Sequence, residues 1–413
     1  MIRERIGIAL LVWLAMGATC IHAQELALHD GDRVVFYGDS ITAQRLYTRF
    51  VEDIFLTRYP QMHITFWNAG VPGDTAYGGY TGDTSTRLRR DVLPHRPTVI
   101  TIMLGMNDGY YMDFNPKYLD VFKTGYAKLL DSLQRESPEP KILLISPTPY
   151  DEVTHGTEFA RYSDTVSRYS AAVKELAVSS HLGLSDFNQV ETSLLNAGTQ
   201  KNTSLAALLV PDRIHPSEAS HWVMAAALAR TWGVSPIISS VEIDAAVAKT
   251  IAVENSEVAD LKAAEEKLQW TQTDKALPLP LSLDDAMIQF VLGISGLEEM
   301  DQQLLRVSGF PEARYTLKID GKSIASFTRE QLSSGVNLAV YATPMESQAR
   351  GVDGIELKRT RLDEAHFILA IENPKISNDA DATRAIEAKD AALAAEQRAA
   401  AQPKPHRFEL SPE

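Results

Sequence analysis

The first half of the chain alternates short apolar runs with stretches in which apolar residues recur three and four positions apart. The short runs are rich in β-branched and aromatic residues and predict strands at 33–37, 63–67, 98–104, 142–145 and 182–184. The longer stretches predict helices at 47–58, 118–133, 161–179 and 217–232. Near-continuous apolar strands separated by helices are typical of a parallel sheet that is covered on both faces. The pattern therefore predicts an α/β domain.

The pattern changes after residue 235. Residues 241–268 are charged and alanine-rich and predict a helical stretch, whereas 305–327 predict strands, with Asp320-Gly321 as a hairpin turn. Residues 381–401 are polar and alanine-rich and predict one long exposed helix. We therefore expect a second α+β unit over 236–413, whose helices either stand apart or pack on the first domain.

The start of the chain has the pattern of a secretory signal peptide. Arg3 and Arg5 precede an uncharged apolar run at 6–18, and Ala23 offers a small residue for cleavage. The run is shorter than the roughly 20 apolar residues that a membrane-spanning helix needs. We therefore expect cleavage after Ala23, export to the periplasm or the extracellular space, and no stable membrane anchor afterwards.

Composition narrows the possible partners and cofactors. The 413 residues are 45% hydrophobic and carry a net charge of −14, and an acidic surface repels phosphate backbones, so we expect no nucleic acid partner. The only cysteine, Cys20, lies in the predicted signal peptide, so the mature chain would hold no disulfide and no thiolate metal site. Because no His, Asp and Glu residues have metal-ligand spacing and no phosphate-binding loop motif occurs, we expect no metal and no cofactor.

Candidate chemistry begins directly after the first predicted strand, at Gly38-Asp39-Ser40. A serine at a strand-to-helix turn is exposed at the sheet edge, and its amide lies near a helix N-terminus, where a developing oxyanion is stabilised. Gly73 follows the second strand, and Asn107 follows the third. A glycine amide can approach a reacting carbonyl closely, and an asparagine amide can donate a hydrogen bond to it.

The fourth segment is Asp212-Arg213-Ile214-His215, followed by Pro216. Three positions of separation on one loop let the Asp212 carboxylate reach Nδ1 of His215, which leaves Nε2 free to act as a base. Pro216 predicts that the next helix begins immediately after His215. Each of these segments taken alone also fits an ordinary cap, turn or loop pair.

Together the four segments have the order and spacing of the SGNH hydrolases, also called GDSL esterases, and the chain resembles that family over roughly residues 30–235. The resemblance implies a three-layer α/β/α sandwich with a mostly parallel, flavodoxin-like sheet of about five strands. We therefore divide the chain into a signal peptide (1–23), a hydrolase domain (24–235) and a C-terminal α+β region of unknown role (236–413).

The resemblance also implies a role for each candidate residue. Ser40 attacks an ester carbonyl, His215 takes the serine proton and returns it to the leaving alcohol, and Asp212 orients His215. The backbone amides of Ser40 and Gly73 and the side chain of Asn107 hold the oxyanion. Ile41 stands where the family's namesake motif has leucine, which is a conservative apolar change.

The substrate is less constrained than the chemistry. Export and tyrosines in the loops near the site favour short acyl esters, such as acetyl esters, on carbohydrate; these tyrosines (Tyr77, Tyr80, Tyr110 and Tyr111) either stack on sugar or pack the loops. The family also includes lipases, lysophospholipases and thioesterases, and the acyl-enzyme could also transfer its acyl group to an alcohol other than water. An alternative of another class is a non-catalytic glycan-binding or scaffold protein. The substrate partner is a small-molecule or polysaccharide ester, and the oligomeric state stays open.

Overall fold

A computed structural model describes residues 25–137, 139–157, 161–264, 267–372 and 380–413, so the predicted signal peptide and Cys20 lie outside the described residues. The strands are β1 (Arg33–Gly38), β2 (Thr65–Gly70), β3 (Gly78–Gly79), β4 (Gly82–Asp83), β5 (Val99–Met103), β6 (Lys141–Ile145), β7 (Gly183–Ser185), β8 (Ile237–Asp244), β9 (Lys249–Glu254), β10 (Ser256–Ala264), β11 (Lys267–Asp274), β12 (Gln302–Ser308), β13 (Arg314–Ile319), β14 (Lys322–Thr328), β15 (Val336–Asn337) and β16 (His406–Pro412).

The helices are α1 (Ser40–Ala43), α2 (Leu46–Arg58), α3 (Thr84–Arg87), α4 (Pro116–Glu136), α5 (Tyr162–Ser179), α6 (Phe187–Lys201), α7 (Thr203–Ala206), α8 (Glu218–Thr231), α9 (Ala286–Ser295), α10 (Arg329–Ser334), α11 (Pro344–Glu372) and α12 (Ala380–Ala401). Single-turn helices occur at Leu93–His95, Leu297–Met300 and Leu338–Val340, and a π-helical turn at Leu88–Val92. Within the described ranges, no helix is both long and apolar enough to cross a bilayer.

A five-stranded sheet with the order β2-β1-β5-β6-β7 forms the centre of the first half of the chain, and all its neighbouring strands pair in parallel. Val34 and Phe36 point to the face that α2, α6 and α8 cover, whereas Val35 and Tyr37 point to the face that α4 and α5 cover. Apolar residues on both sides of each strand are buried by the two helical layers, as in other parallel sheets. The predicted three-layer α/β/α fold is confirmed.

Strands β8 to β11 occupy most of the described residues between 237 and 274, so the helical stretch predicted at 241–268 is wrong. The exposed part of this segment is rich in alanine, glutamate and lysine, which favour helix when sequence is considered locally. Along β11, however, Leu268, Trp270 and Gln272 are buried and alternate with partly exposed residues. Burial of one face of this strand in a core outweighs the local preference for helix.

Two sheets enclose that C-terminal core. One is antiparallel with the order β10-β11-β16-β13-β14, and the other has the order β15-β12-β8-β9 with β8 and β12 parallel. Trp270 and Phe408 from the first sheet and Val241 and Leu305 from the second belong to the same buried cluster. The predicted hairpin is confirmed: Asp320 and Gly321 both have positive φ, 50° and 80°, between paired β13 and β14.

The long helices α11 and α12 pack on α2 of the first domain. Arg359 of α11 lies at the centre of this contact and donates hydrogen bonds to Glu52 of α2, to Glu356 and to Asp390 of α12. Leu393 of α12 is buried, so the helix predicted at 381–401 is present but is not exposed on all sides.

The loops before β12 also join the two halves of the chain. The buried guanidinium of Arg58, at the end of α2, donates to the carbonyl of Met300 at 2.8 Å and to the carboxylate of Asp301 at 2.7 Å. Ile288 and Val291 of α9 belong to the same buried cluster as the helices of the first domain. The C-terminal region therefore shares a continuous buried interface with the first domain, and one end of α11 comes close to the carboxyl edge of the parallel sheet.

Candidate active site

Ser40 is the first residue of α1, immediately beyond the carboxyl end of β1. Asp39 caps this short helix, since its carboxylate accepts a hydrogen bond from the Ile41 amide at 3.0 Å. Burial raises the pKa of Asp39 to about 7. Gly38 permits the tight turn, because a Cβ at this position would lie 2.2 Å from Oγ1 of Thr42. The turn leaves the Ser40 side chain only partly buried.

Asp212 and His215 lie on a loop before α8. The Asp212 carboxylate accepts hydrogen bonds from the backbone amides of Ile214, at 2.9 Å, and of His215, at 2.7 Å, so the loop folds around this one side chain. The expectation that Pro216 begins the helix is wrong: α8 begins at Glu218, and the Ser217 side chain caps it. The serine is the better cap, because its hydroxyl satisfies a free amide of the first turn.

Hydrogen bonds connect the three side chains in a row. Nδ1 of His215 lies 2.6 Å from Oδ2 of Asp212, and Nε2 lies 2.8 Å from Oγ of Ser40. Partial burial raises the pKa of Asp212, but hydrogen bonds from the amide and ring of His215 and from the Ile214 amide outweigh it, so the pKa is lower than usual. An ionised carboxylate only accepts hydrogen bonds, so Nδ1 carries the imidazole proton and Nε2 accepts from the Ser40 hydroxyl.

Gly73 and Asn107 line the same cleft as Ser40 and His215, and this open cleft has a volume of about 840 Å³. Gly73 has a positive φ of 75°, which favours glycine. The Asn107 side chain is held at both ends: Nδ2 donates to the Asp74 carbonyl at 2.9 Å, and Oδ1 accepts from the Tyr111 hydroxyl at 2.8 Å. The structure thus brings all five residues named from the sequence to one cleft.

Residues 36–223 match the family model described as a GDSL-like lipase/acylhydrolase. The first domain belongs to the SGNH/GDSL hydrolase family. It is a serine carboxylic ester hydrolase.

Curated and solved relatives cover different shares of the chain. An acetylxylan esterase of Geobacillus stearothermophilus is 27% identical over 225 residues, which are 50% of this chain and 97% of the relative. A solved structure of an acetylxylan esterase from the same organism covers 50% of this chain and 97% of its own, at 26% identity and a TM-score of 0.40. A gut microbial diltiazem-metabolizing enzyme covers 94% of this chain and 98% of its own, with a TM-score of 0.81 and 23% identity. That last likeness shows that the fold is shared along nearly the whole chain, including the C-terminal region.

A buried ion pair below the cleft of this SGNH hydrolase was not predicted from the sequence. Arg87 is fully buried and donates to the carboxylates of Asp74 and Asp91 and to the Ala69 carbonyl, and its guanidinium lies 4.7 Å from the centroid of the Tyr37 ring. Burial raises the pKa of Asp74 to about 6, against the opposing charge of Arg87. The pair fixes the segment that carries Gly73 and the carbonyl that Asn107 contacts. No spacing motif relates these residues, so the sequence carries no signal for them.

His221 of α8 is fully buried. Its Nδ1 accepts from the Tyr47 amide at 3.1 Å, so Nε2 carries the proton and donates to Oε1 of Gln44 at 3.0 Å. Burial, with the nearby His215, lowers the pKa of His221 to about 3, so the ring is neutral. It holds Gln44, which lines the cleft of the SGNH hydrolase.

The four tyrosines named from the sequence have different surroundings. Tyr111 lines the cleft, and Tyr80 lines a neighbouring cavity. Tyr77 packs beside Lys128, and Tyr110 packs edge-on against Tyr118. Of the four, only Tyr111 and Tyr80 line the cleft or the cavity beside it.

Across the described residues, no group of three or more His, Cys, Asp and Glu side chains is arranged to hold a metal ion.

Proposed function

We propose that Ser40, His215 and Asp212 act as nucleophile, general acid–base and orienting carboxylate in ester hydrolysis. The observation that carries this proposal is the row of hydrogen bonds at 2.6 and 2.8 Å that connects the three side chains. When Ser40 Oγ attacks the ester carbonyl, its proton passes to Nε2 of His215, and the imidazolium faces the ionised Asp212. The same proton then goes to the leaving alcohol. Water next attacks the acyl-serine, gives its proton to His215, and releases the acid as Ser40 regains a proton.

We further propose that the oxyanion is held by the amides of Ser40 and Gly73 and by Nδ2 of Asn107. The Ser40 amide belongs to the first turn of α1, where unpaired N–H groups favour negative charge. One N–H of Asn107 is already bound to the Asp74 carbonyl, which leaves the second free for the oxyanion. Donors fixed in this way need little reorganisation during the reaction.

For the substrate we propose short acyl esters, in particular acetyl esters, on carbohydrate. The support is the acetylxylan esterase relative, which aligns over 97% of its length with half of this chain. The open cleft of about 840 Å³ supports the same conclusion, because a polymer must enter from the side without threading through a tunnel. Export, proposed from the basic and apolar start of the sequence, would bring the enzyme to such polymers.

The test is acetate release from acetylated xylan by the wild type and by Ser40→Ala. We expect release by the wild type and a loss of about a thousandfold or more in turnover for the variant, with an unchanged melting temperature. Ser179→Ala, an exposed serine at the end of α5, is the matched control and should keep full activity. Full activity of Ser40→Ala would exclude the nucleophile. Hydrolysis of a small aryl acetate without release from xylan would keep the serine mechanism and exclude this polymer.

A further inference from the structure

A second cavity of about 230 Å³ lies beside the cleft that contains Ser40. Ala43, at the end of α1, and Pro72, in the loop after β2, line both spaces, so the cavity and the cleft are direct neighbours. Its inner side is closely packed: a Cβ on Gly70 would lie 2.4 Å from the Ala43 amide nitrogen. The inner side of the cavity is therefore formed by the same tight turn that positions the serine.

The opposite wall comes from α11 of the C-terminal region. Phe367 and Ile368 of this helix face Val71 and Pro72 across the cavity. The family match ends at residue 223, so this wall is an addition to the hydrolase domain and not part of its shared core. Arg359, which lies earlier in α11 than Phe367, binds Glu52 of α2 and thereby fixes α11 against the first domain.

The lining combines ring surfaces with a small number of charged groups. Tyr80 is 76% exposed and Ile368 is 42% exposed, although both face this cavity. The guanidinium of Arg45 lies 5.5 Å from the centroid of the Phe367 ring and so has a fixed position in the lining, and Glu364 adds a carboxylate. Aromatic and apolar surface with a few placed polar groups is typical of a small-molecule site. A pyranose ring has the matching surface, with C–H groups on its faces and hydroxyls on its edge.

The size of the cavity decides which part of a substrate it takes, provided that the proposed acetyl-carbohydrate function holds. An acetyl group adds only a methyl beyond the carbonyl, which needs far less than 230 Å³. The larger part of such a substrate is its alcohol. We propose that this cavity, formed by Ala43, Arg45, Pro72, Tyr80, Phe367 and Ile368 and here named the α11 subsite, binds a sugar residue of the alcohol, next to the residue that carries the acetyl ester. The C-terminal region then takes part in substrate selection.

The test compares two acetyl esters in each variant: an acetylated xylo-oligosaccharide, which reaches the α11 subsite, and ethyl acetate, whose alcohol is too small to do so. We compare the ratio of kcat/KM for the oligosaccharide to kcat/KM for ethyl acetate. For Tyr80→Ala and for Ile368→Glu we expect this ratio to fall about tenfold, mainly through KM, because each variant loses a contact with the sugar ring. Ile251→Glu, on β9, is the matched control, since Ile251 is 51% exposed and lies outside this cavity; its ratio should equal that of the wild type.

Acyl chain length provides the second measurement, with 4-nitrophenyl acetate and 4-nitrophenyl hexanoate. If Ile368→Glu lowers kcat/KM for the hexanoate selectively and leaves the oligosaccharide ratio unchanged, the cavity holds the acyl chain and the proposal is overturned. An unchanged ratio in both variants also overturns it. Failure of the proposed function is distinct, because it is seen in the wild type: ethyl acetate is cleaved and the oligosaccharide is not, which removes the sugar residue as the occupant.

Discussion

Replacing Glu191 by glutamine should make the stability of the protein depend less on pH above pH 6. Glu191 lies on α6, is fully buried, and neither of its carboxylate oxygens has a hydrogen-bond partner among the described residues. Burial, together with the negative charge of Asp151, raises the pKa of Glu191 from 4.5 to about 8. The folded protein therefore keeps a proton on this group under conditions where the unfolded chain has released it.

The sign and size of the effect follow from this difference in bound protons. Between the unfolded pKa of 4.5 and the folded pKa of about 8, the folded state binds one more proton, so the free energy of unfolding falls as pH rises. The free energy of unfolding falls by about 1.4 kcal/mol per pH unit, and by less near pH 8, where Glu191 begins to lose its proton in the folded state as well. The total decrease between roughly pH 6 and pH 8 is therefore about 2 kcal/mol. For a domain of the size of residues 24–235, a decrease of about 2 kcal/mol in the free energy of unfolding lowers the melting temperature by about 4 °C.

The assay is thermal unfolding of the wild type and Glu191→Gln across this pH range. The buried amide of glutamine costs a fixed amount at every pH, so the useful quantity is the difference in melting temperature between variant and wild type. We expect that difference to rise by about 4 °C from near pH 6 to near pH 8. Glu175→Gln, which changes an exposed glutamate on α5, should show no such rise. A difference that stays constant with pH for Glu191→Gln would refute the reasoning.

Three further substitutions test the site and the turn below it, and a fourth, at Gly351 of α11, is the control for the turn. Asn107→Ala should lower kcat for 4-nitrophenyl acetate by about a hundredfold. Tyr111→Phe, which removes one hydrogen bond to Asn107, should lower kcat by about tenfold with little change in KM. An equal loss of kcat in both variants, or no loss in either, would contradict the proposed arrangement. Gly70→Ala should lower the melting temperature by several degrees, because its Cβ would meet the Ala43 amide. Gly351→Ala, a helical glycine with nothing within 4 Å of the added Cβ, should raise it slightly, and destabilisation by both substitutions would indicate a general effect of losing glycine.

The parts of the fold that could be predicted are those whose signal is local. The strands of the parallel sheet are buried on both faces and therefore appear as continuous apolar runs, such as Val34 to Tyr37. Ser40, Asp212 and His215 were candidates because of a loop after a strand and a short Asp-to-His spacing, and the resemblance to the SGNH hydrolases favoured them over ordinary caps and turns. Their roles stay predictions. Boundaries differed by a few residues, as at β2, where the strand begins at Thr65 and continues to Gly70.

The parts that could not be predicted depend on contacts between distant residues. Burial of Arg87 beside Asp74 requires a space that the fold creates, and nothing in the neighbouring sequence distinguishes this arginine from an exposed one. Strand β11 takes its conformation from pairing with β10 and β16, which lies more than a hundred residues away in the sequence. The wall that Phe367 adds to the cavity next to the Ser40 cleft has the same origin, since it depends on how α11 packs against α2.

Strand β16 lies in the middle of its sheet, between β11 and β13, although it follows all the other described strands along the chain. Sheet closure must therefore wait until α11 and α12 have been made and folded back, and contacts so distant in sequence form slowly. The parallel sheet and the Ser40 turn need only residues up to about α8 and can collapse earlier on the ribosome. Biosynthesis thus separates the two halves of the proposed site in time: Ser40, Asp212 and His215 come together first, and the α11 wall of the proposed sugar subsite is added last.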